Sequence, residues 1–456
     1  MNEDQVKVFE RFAEDIQKQY EAVGIAVSVF DKDKVLYRKN FGYRDLETKA
    51  PIDDDTIFGC ASISKSFTAL SVMQLAEEGK VDINAPLCKY IPEFKDPQDE
   101  PVLVRHLLSH AGGFFPMPRI LVEHVARDMG IWNDGKDELG MNEAMAIEGA
   151  KRVAERMSAQ TRFTGKPGER MSYCNDGFGL LSEIVRREGD QPSFSEYVRE
   201  HILKPLGMTR SSAEFIAPLK DPNHATLYKH VDGKLKGGWD FYDNAFVLNG
   251  GGAMKSTIHD LTEYVRMYMN AGKPVANKHI VEEMYRPRQH YRYHCWYGYG
   301  VCSINVDDFT VNQHGGSLTG VSSNFGWSPE LGVGVVVFCN TSGVPVAEIS
   351  NAAFRMAAGH DPLPKPCALR CEWDEKTCLA ACGKYVSGEG STIEVTYENG
   401  KLRVLSGGKE AEFFTATPDT VFLTRPFTQG DAILLSDDEG KVWGVRTGGR
   451  ILPKTE

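Results

Sequence analysis

Residues 62–79 read SISKSFTALSVMQLAEEG. Phe67, Leu70 and Met73 recur at three-residue steps, the spacing of one helix face, and Gly79 supplies a stop. With Ser62 opening that helix, Lys65 lies one turn on along the same face, and its amine can reach the Ser62 hydroxyl. Serine is a poor nucleophile until a neighbour removes its proton. An amine does so only where desolvation or positive potential, such as a helix N-terminus, has lowered its pKa. On its own the four-residue pattern also fits a solvated helix start, so its meaning depends on what accompanies it.

On either side of this helix the pattern turns strand-like. Upstream, residues 25–30 and 35–41 are β-type runs around the polar turn Asp31-Lys32-Asp33-Lys34, a hairpin, and Val6, Phe9, Phe12, Ile16 and Tyr20 mark an amphipathic helix before it. Far downstream, residues 309–313, 321–327 and 333–340 form a second strand cluster. Helical stretches at 67–78, 176–187 and 260–270 fall between. Strands at both ends predict an α+β fold, an antiparallel sheet assembled from the two ends of one domain and flanked by helices, with a mostly helical subdomain inserted.

Near Ala358 the texture changes, and Pro362, Pro364 and Pro366 favour an extended connector. Beyond it Ile393, Val395 and Tyr397 alternate before Asn399-Gly400, and Leu402 and Val404 alternate after it, a hairpin signal. Short β-type runs continue to residue 446. The expected division is a first domain over 1–358, a linker over 359–376 and a small all-β barrel over 377–456.

The 456 residues carry 52 Lys+Arg against 63 Asp+Glu, a formal net charge of −11. Affinity for phosphate backbones needs concentrated Lys and Arg that release counterions, and there is no basic stripe, so no nucleic-acid partner is expected. Residues 1–24 are acidic from the start and mixed throughout, unlike a secretory leader, and no run approaches the roughly 18–20 apolar residues that span a bilayer. The expectation is a cytoplasmic chain without membrane contact. Ten cysteines are too sparse for a disulfide scaffold and read as small buried hydrophobes in a reducing compartment.

Two further elements accompany Ser62 and Lys65. Tyr173-Cys174-Asn175 feeds a helix starting at Asp176, with a phenol and an amide two residues apart. His314-Gly315-Gly316-Ser317 closes the strand 309–313, where glycines let a substrate lie against the strand edge and leave backbone N–H groups exposed. In order and separation these elements resemble the serine β-lactamase and penicillin-binding-protein superfamily, in its class C β-lactamase-like branch of peptidase family S12 type. Framework stretches at 56–75 (TIFGCASISKSFTALSVMQL), 79–94 (GKVDINAPLCKYIPEF), 104–113 (VRHLLSHAGG), 204–208 (KPLGM) and 250–261 (GGGAMKSTIHDL) extend the resemblance over about residues 10–355. The tail from about 377 is similar, more loosely, to lipocalin-like β-domains.

The resemblance implies roles. Ser62 would be the acylated nucleophile and Lys65 its proton partner. Tyr173 would be base for attack and acid for the leaving group, and Asn175 would hold the acyl side and orient Lys65. The backbone N–H groups of Ser62 and Ser317 would form the oxyanion hole on the strand carrying Gly315 and Gly316. His314 stands where β-lactamases usually carry lysine, and a group of pKa ~6.5 in place of a fixed cation predicts preference for neutral esters and amides over carboxylate-bearing β-lactams, with charging as the pH falls. No cofactor is implied. The expected activity is acyl transfer from a small ester or amide to water or an amine. The alternatives are a D-aminopeptidase or short-peptide peptidase, a β-lactamase, and a non-catalytic penicillin-recognising protein.

Other candidates have plainer readings. Cys367, Cys371, Cys378 and Cys382 could hold zinc, but their spacing lacks the C-x2-C knuckle, so thiols are expected and no metal site is assigned. Cys60 and Cys174 flank the polar set and read as packing. His106 and His110 read as capping or core residues, while Trp296, Tyr297 and Tyr299 fit pocket wall and core equally. Residues 114–164, with Met117, Ile120, Leu121, Met129, Ile131 and Trp132, would shape substrate choice.

Overall fold

The computed structural model describes residues 2–120, 122–131, 143–214, 221–239 and 249–455. Leu121 and Trp132 lie outside them. The helices that bear on the site are α1 (Glu3–Gln19), α2 (Ser64–Glu77), α3 (Asn175–Glu188), α4 (Ile258–Met269) and α5 (Val346–Ala358). Asn2 caps α1 by accepting from the Asp4 N–H, and Phe9, Phe12, Ala13 and Ile16 form its buried stripe.

The first sheet has nine strands: β1 (Gly24–Phe30), β2 (Val35–Asp45), β3 (Ala50–Pro51), β4 (Gln289–Arg292), β5 (Cys295–Tyr297), β6 (Cys302–Val306), β7 (Phe309–Leu318), β8 (Val321–Ser328) and β9 (Val333–Cys339). Their order is β3-β2-β1-β9-β8-β7-β6-β5-β4, and every pairing is antiparallel. Ile25 opposite Cys339 joins the N-terminal hairpin to the last strand, so both ends of the domain build one sheet as the sequence predicts. Side chains alternate between its faces. Val27, Val29, Val335 and Val337 pack with Phe9, Ile16, Ile349 and Phe354 on one face. On the other, Ala26, Phe30, Val336 and Phe338 join the core formed with α2, α3 and α4. Burial on both faces explains why β1, apart from Ser28, and β9 are apolar along their length.

One detail of the first sheet differs from expectation. The strand expected to end at Gln313 continues through His314-Gly315-Gly316-Ser317, because β8 pairs with it as far as Leu318 opposite Val321. β6 covers only Phe309–Gln313 on its other side, so the second half of β7 has an open edge. The aromatic stretch at 296–299 falls on the short strand β5 and the turn after it.

Residues 359–374 contain no helix or strand, and a short helix, α6 (Glu375–Ala381), then stands where strand-like sequence was expected from 377. Asp374 caps it by accepting from the Thr377 N–H. The second sheet follows: β10 (Gly383–Val386), β11 (Thr392–Glu398), β12 (Lys401–Ser406), β13 (Lys409–Glu410), β14 (Glu412–Thr417), β15 (Thr420–Arg425), β16 (Thr428–Ser436), β17 (Val442–Thr447) and β18 (Arg450–Thr455). Ordered β13-β12-β11-β10-β18-β17-β16-β15-β14, it curls barrel-like around Tyr385, Val395, Val404, Val445 and Leu452. Asn399 and Gly400 take φ of +52° and +72°, the turn their sequence predicts. Among the described residues no helix is long and apolar enough to cross a membrane.

Candidate active site

Ser62 lies in a single 3-10 turn, Ala61–Ile63, that runs directly into α2. The turn is held on several sides: the Cys60 N–H donates to the Met254 carbonyl at 2.9 Å, Ser64 Oγ donates to the Ala61 carbonyl at 2.6 Å, and the Met254 N–H donates to Ser64 Oγ at 2.9 Å. Ala61 has a φ of +49°, a left-handed conformation that costs a non-glycine residue strain. Lys65 follows one turn on, with Nζ donating to Ser62 Oγ at 3.0 Å and to the Gly251 carbonyl at 2.7 Å. Its amine is enclosed, 4.9 Å from the Tyr173 ring centre and 5.6 Å from that of Phe178. Burial pulls its pKa well below the usual lysine value, and the charge of Arg450 lowers it further.

Tyr173 is buried and lines the same cavity as Ser62. Burial raises its pKa and holds the phenol protonated. Asn175 opens α3, and its amide donates to Glu389 Oε1 at 2.7 Å, while the recorded partners of Lys65 are Ser62 and Gly251. The expectation that Asn175 orients Lys65 therefore gives way to contact with the second sheet.

His314 is neutral as expected but differs from expectation in its response to pH. Nδ1 donates to the Gly315 carbonyl at 2.6 Å, which leaves Nε2 to accept from the Tyr297 hydroxyl at 2.9 Å, a neutral tautomer with both nitrogens used. Burial first, and then Lys65, push its pKa down to about 3, so it does not charge as pH falls through the ordinary histidine range. Gly316 has a steric reason to be glycine: a Cβ there would lie 2.1 Å from the Cys60 carbonyl oxygen and 2.4 Å from Ser323 Oγ. The absence of that Cβ lets β7 close against the Ser62 turn, bringing Ser317 to the same cavity.

That cavity, of about 270 Å³, is lined by Ser62, Tyr173, His314 and Ser317 and also by Arg292 and Arg450. The two arginines, with Glu389, lie outside every motif read from the sequence. His110, read from sequence only as a capping or core residue, also packs at the site. Its Nδ1 accepts from the Cys174 N–H at 3.1 Å and its ring lies 4.1 Å from that of Tyr173, so it positions the tyrosine, whereas His106 caps its helix by accepting from the Leu103 N–H. The stretch VRHLLSHAGG was the available signal. Cys60 and Cys174 are buried thiols, and burial pushes Cys174 up to about 12. Among the described residues no three His, Cys, Asp or Glu side chains converge as a metal set, and the linker cysteines are free.

Comparison with known proteins agrees with this architecture. The chain is 24% identical over 358 residues to Protein flp of Staphylococcus aureus (strain MW2), covering 74% of this chain and 64% of that one. The chain thus spans under two thirds of that relative's length. The octameric penicillin-binding protein homologue from Pyrococcus abyssi superposes with a TM-score of 0.69 at 26% identity, over 98% of this chain and 100% of that one. The D-amino acid amidase from Ochrobactrum anthropi SV3 shares the fold with a TM-score of 0.61 at 20% identity, over 78% of this chain and 99% of its own. The beta-lactamase family profile matches residues 9–360, and the chain belongs to that family.

Proposed function

We propose that the protein is a serine hydrolase that cleaves a small amide or ester through an acyl-enzyme on Ser62. The observation that carries this reading is the enclosed Lys65 amine, 3.0 Å from Ser62 Oγ and with a pKa held well below that of free lysine. A neutral amine there accepts the Ser62 proton as Oγ attacks the substrate carbonyl. The carbonyl oxygen gains negative charge, and the Ser62 and Ser317 N–H groups are assigned to receive it. Tyr173, kept protonated by burial, gives its proton to the departing amine or alcohol as the bond to the carbonyl carbon breaks. Its phenolate recovers a proton from Lys65. The assignment of general base thus moves from Tyr173 to Lys65. Water then attacks the Ser62 ester, losing its proton to the same pair, which returns a proton to Ser62 Oγ as its bond to the acyl carbon breaks and the free acid leaves.

The likeness to an amidase supports an amide or ester as substrate, and the cavity of about 270 Å³ suits a small one. A panel of p-nitrophenyl esters, D- and L-aminoacyl p-nitroanilides and nitrocefin tests the reading. Turnover of an ester or anilide, abolished in Ser62→Ala, is expected. Turnover of nitrocefin above all others would favour a β-lactamase, and equal rates in Ser62→Ala would refute the assignment.

A further inference from the structure

Arg450 begins β18, immediately after Gly448-Gly449, the two-residue loop joining it to β17. Both glycines have positive φ, +54° and +75°, as a tight hairpin requires. The hairpin tip is seated in the candidate site. The Gly449 carbonyl accepts from the Tyr173 N–H at 2.8 Å, the Ile451 N–H donates to Ser172 Oγ at 3.2 Å, and a Cβ on Gly449 would lie 1.9 Å from the Tyr291 ring. Backbone contacts on both sides thus fix where Arg450 enters. Its Nε donates to Glu389 and its Nη1 to the Gly448 carbonyl at 3.3 Å, while among the described residues Nη2 makes no hydrogen bond. The guanidinium lies 4.7 Å from the Tyr173 ring centre and lines the same cavity as Ser62.

This cavity is cationic in a chain of net charge −11. Arg292 lines it as well, and among the described residues no Asp or Glu does. Glu389 offsets one guanidinium charge from outside the lining, its other oxygen held by Asn175. His314 is neutral. The start of α5, a helix of 13 residues, opens on the same space through residues 344–347 and adds the positive end of its dipole. A guanidinium with an unused nitrogen in such a cavity matches a carboxylate.

We propose that Arg450 is a substrate-binding residue that anchors a carboxylate, so that the substrate is an anionic amide or ester, such as an N-acylated amino acid or the half-amide of a dicarboxylic acid. The proposal rests on the Ser62 hydrolase reading and reverses the preference for neutral substrates expected from His314 alone. Calorimetric titration of the full chain with N-acetylalanine, as either enantiomer, and with N-methylsuccinamic acid, each against its primary amide, tests it. The first acid carries its carboxylate on the amine side of the amide bond and the second on the acyl side, so the arm that binds fixes the side. At least one acid should bind about tenfold or more tightly than its amide, and Arg450→Met should shrink that gap to about threefold or less, with Arg450→Lys retaining part of it. No gap in the wild type, or a gap that survives Arg450→Met, overturns the proposal. Fluorophosphonate labelling of Ser62 in each variant shows that the site has folded. Because the titration needs no turnover, wild-type protein that binds acids but leaves Ser62 unlabelled contradicts the hydrolase reading and not this one.

Discussion

Burial lowers the pKa of both Lys65 and His314, with different consequences for pH dependence. The Lys65 pKa is lowered, so the amine is neutral above that value and acts as a base, and protonation disables it as pH falls through the lowered value. Labelling of Ser62 should therefore rise with pH along a limb well below the ordinary lysine range, and a stopped-flow pH series checks it. His314 has a pKa of about 3, so no separate inflection near 6.5 is expected from it. Lys65→Ala should slow acylation by about 10²–10⁴, the usual size of general-base assistance, and a normal burst from that variant would refute its role. The spacing of Ser62 and Lys65 was legible because one helical turn determines it. The loss of His314 titration in the ordinary histidine range was not, because it comes from burial and from neighbours brought together by the fold.

At the level of elements, the site depends on how closely β7 approaches the turn carrying Ser62. Gly316→Ala places a methyl group against the Cys60 carbonyl, which must shift, and Ser62 lies two residues beyond it. Thermal unfolding should show a loss of about 1–3 kcal/mol, and labelling of Ser62 should slow in the same variant. Unchanged labelling with unchanged stability would contradict this account of the glycine. Alternation and turn chemistry made the hairpins at 25–41 and 393–404 legible, since both signals are local. The strand carrying His314 was read too short because Gly315 and Gly316 look like a loop in sequence, while pairing with β8 keeps them extended. The helix Glu375–Ala381 was missed because two pairs of cysteines and a proline-rich approach masked a short helical run.

Across the whole molecule, the second sheet reaches the cavity that holds Ser62. Nothing in Thr447-Gly448-Gly449-Arg450 beyond a turn is visible in sequence, and only the docking of β18 beside Ser172 and Tyr173 brings Arg450 near Lys65. The sign of the coupling can be measured. Arg450 lowers the Lys65 pKa and Glu389 raises it, so the acid limb of Ser62 labelling should move to higher pH in Arg450→Met and to lower pH in Glu389→Gln. Opposite or absent shifts would show that the hairpin does not tune the lysine. The acyl-enzyme itself is put to the test by rapid-quench intact-mass analysis with peptide mapping, on wild-type protein turning over its best ester or anilide. One acyl group per chain is expected, confined to the peptide containing Ser62 and absent from Ser62→Ala. An adduct on another residue, or one retained in Ser62→Ala, would contradict the acyl-enzyme on Ser62.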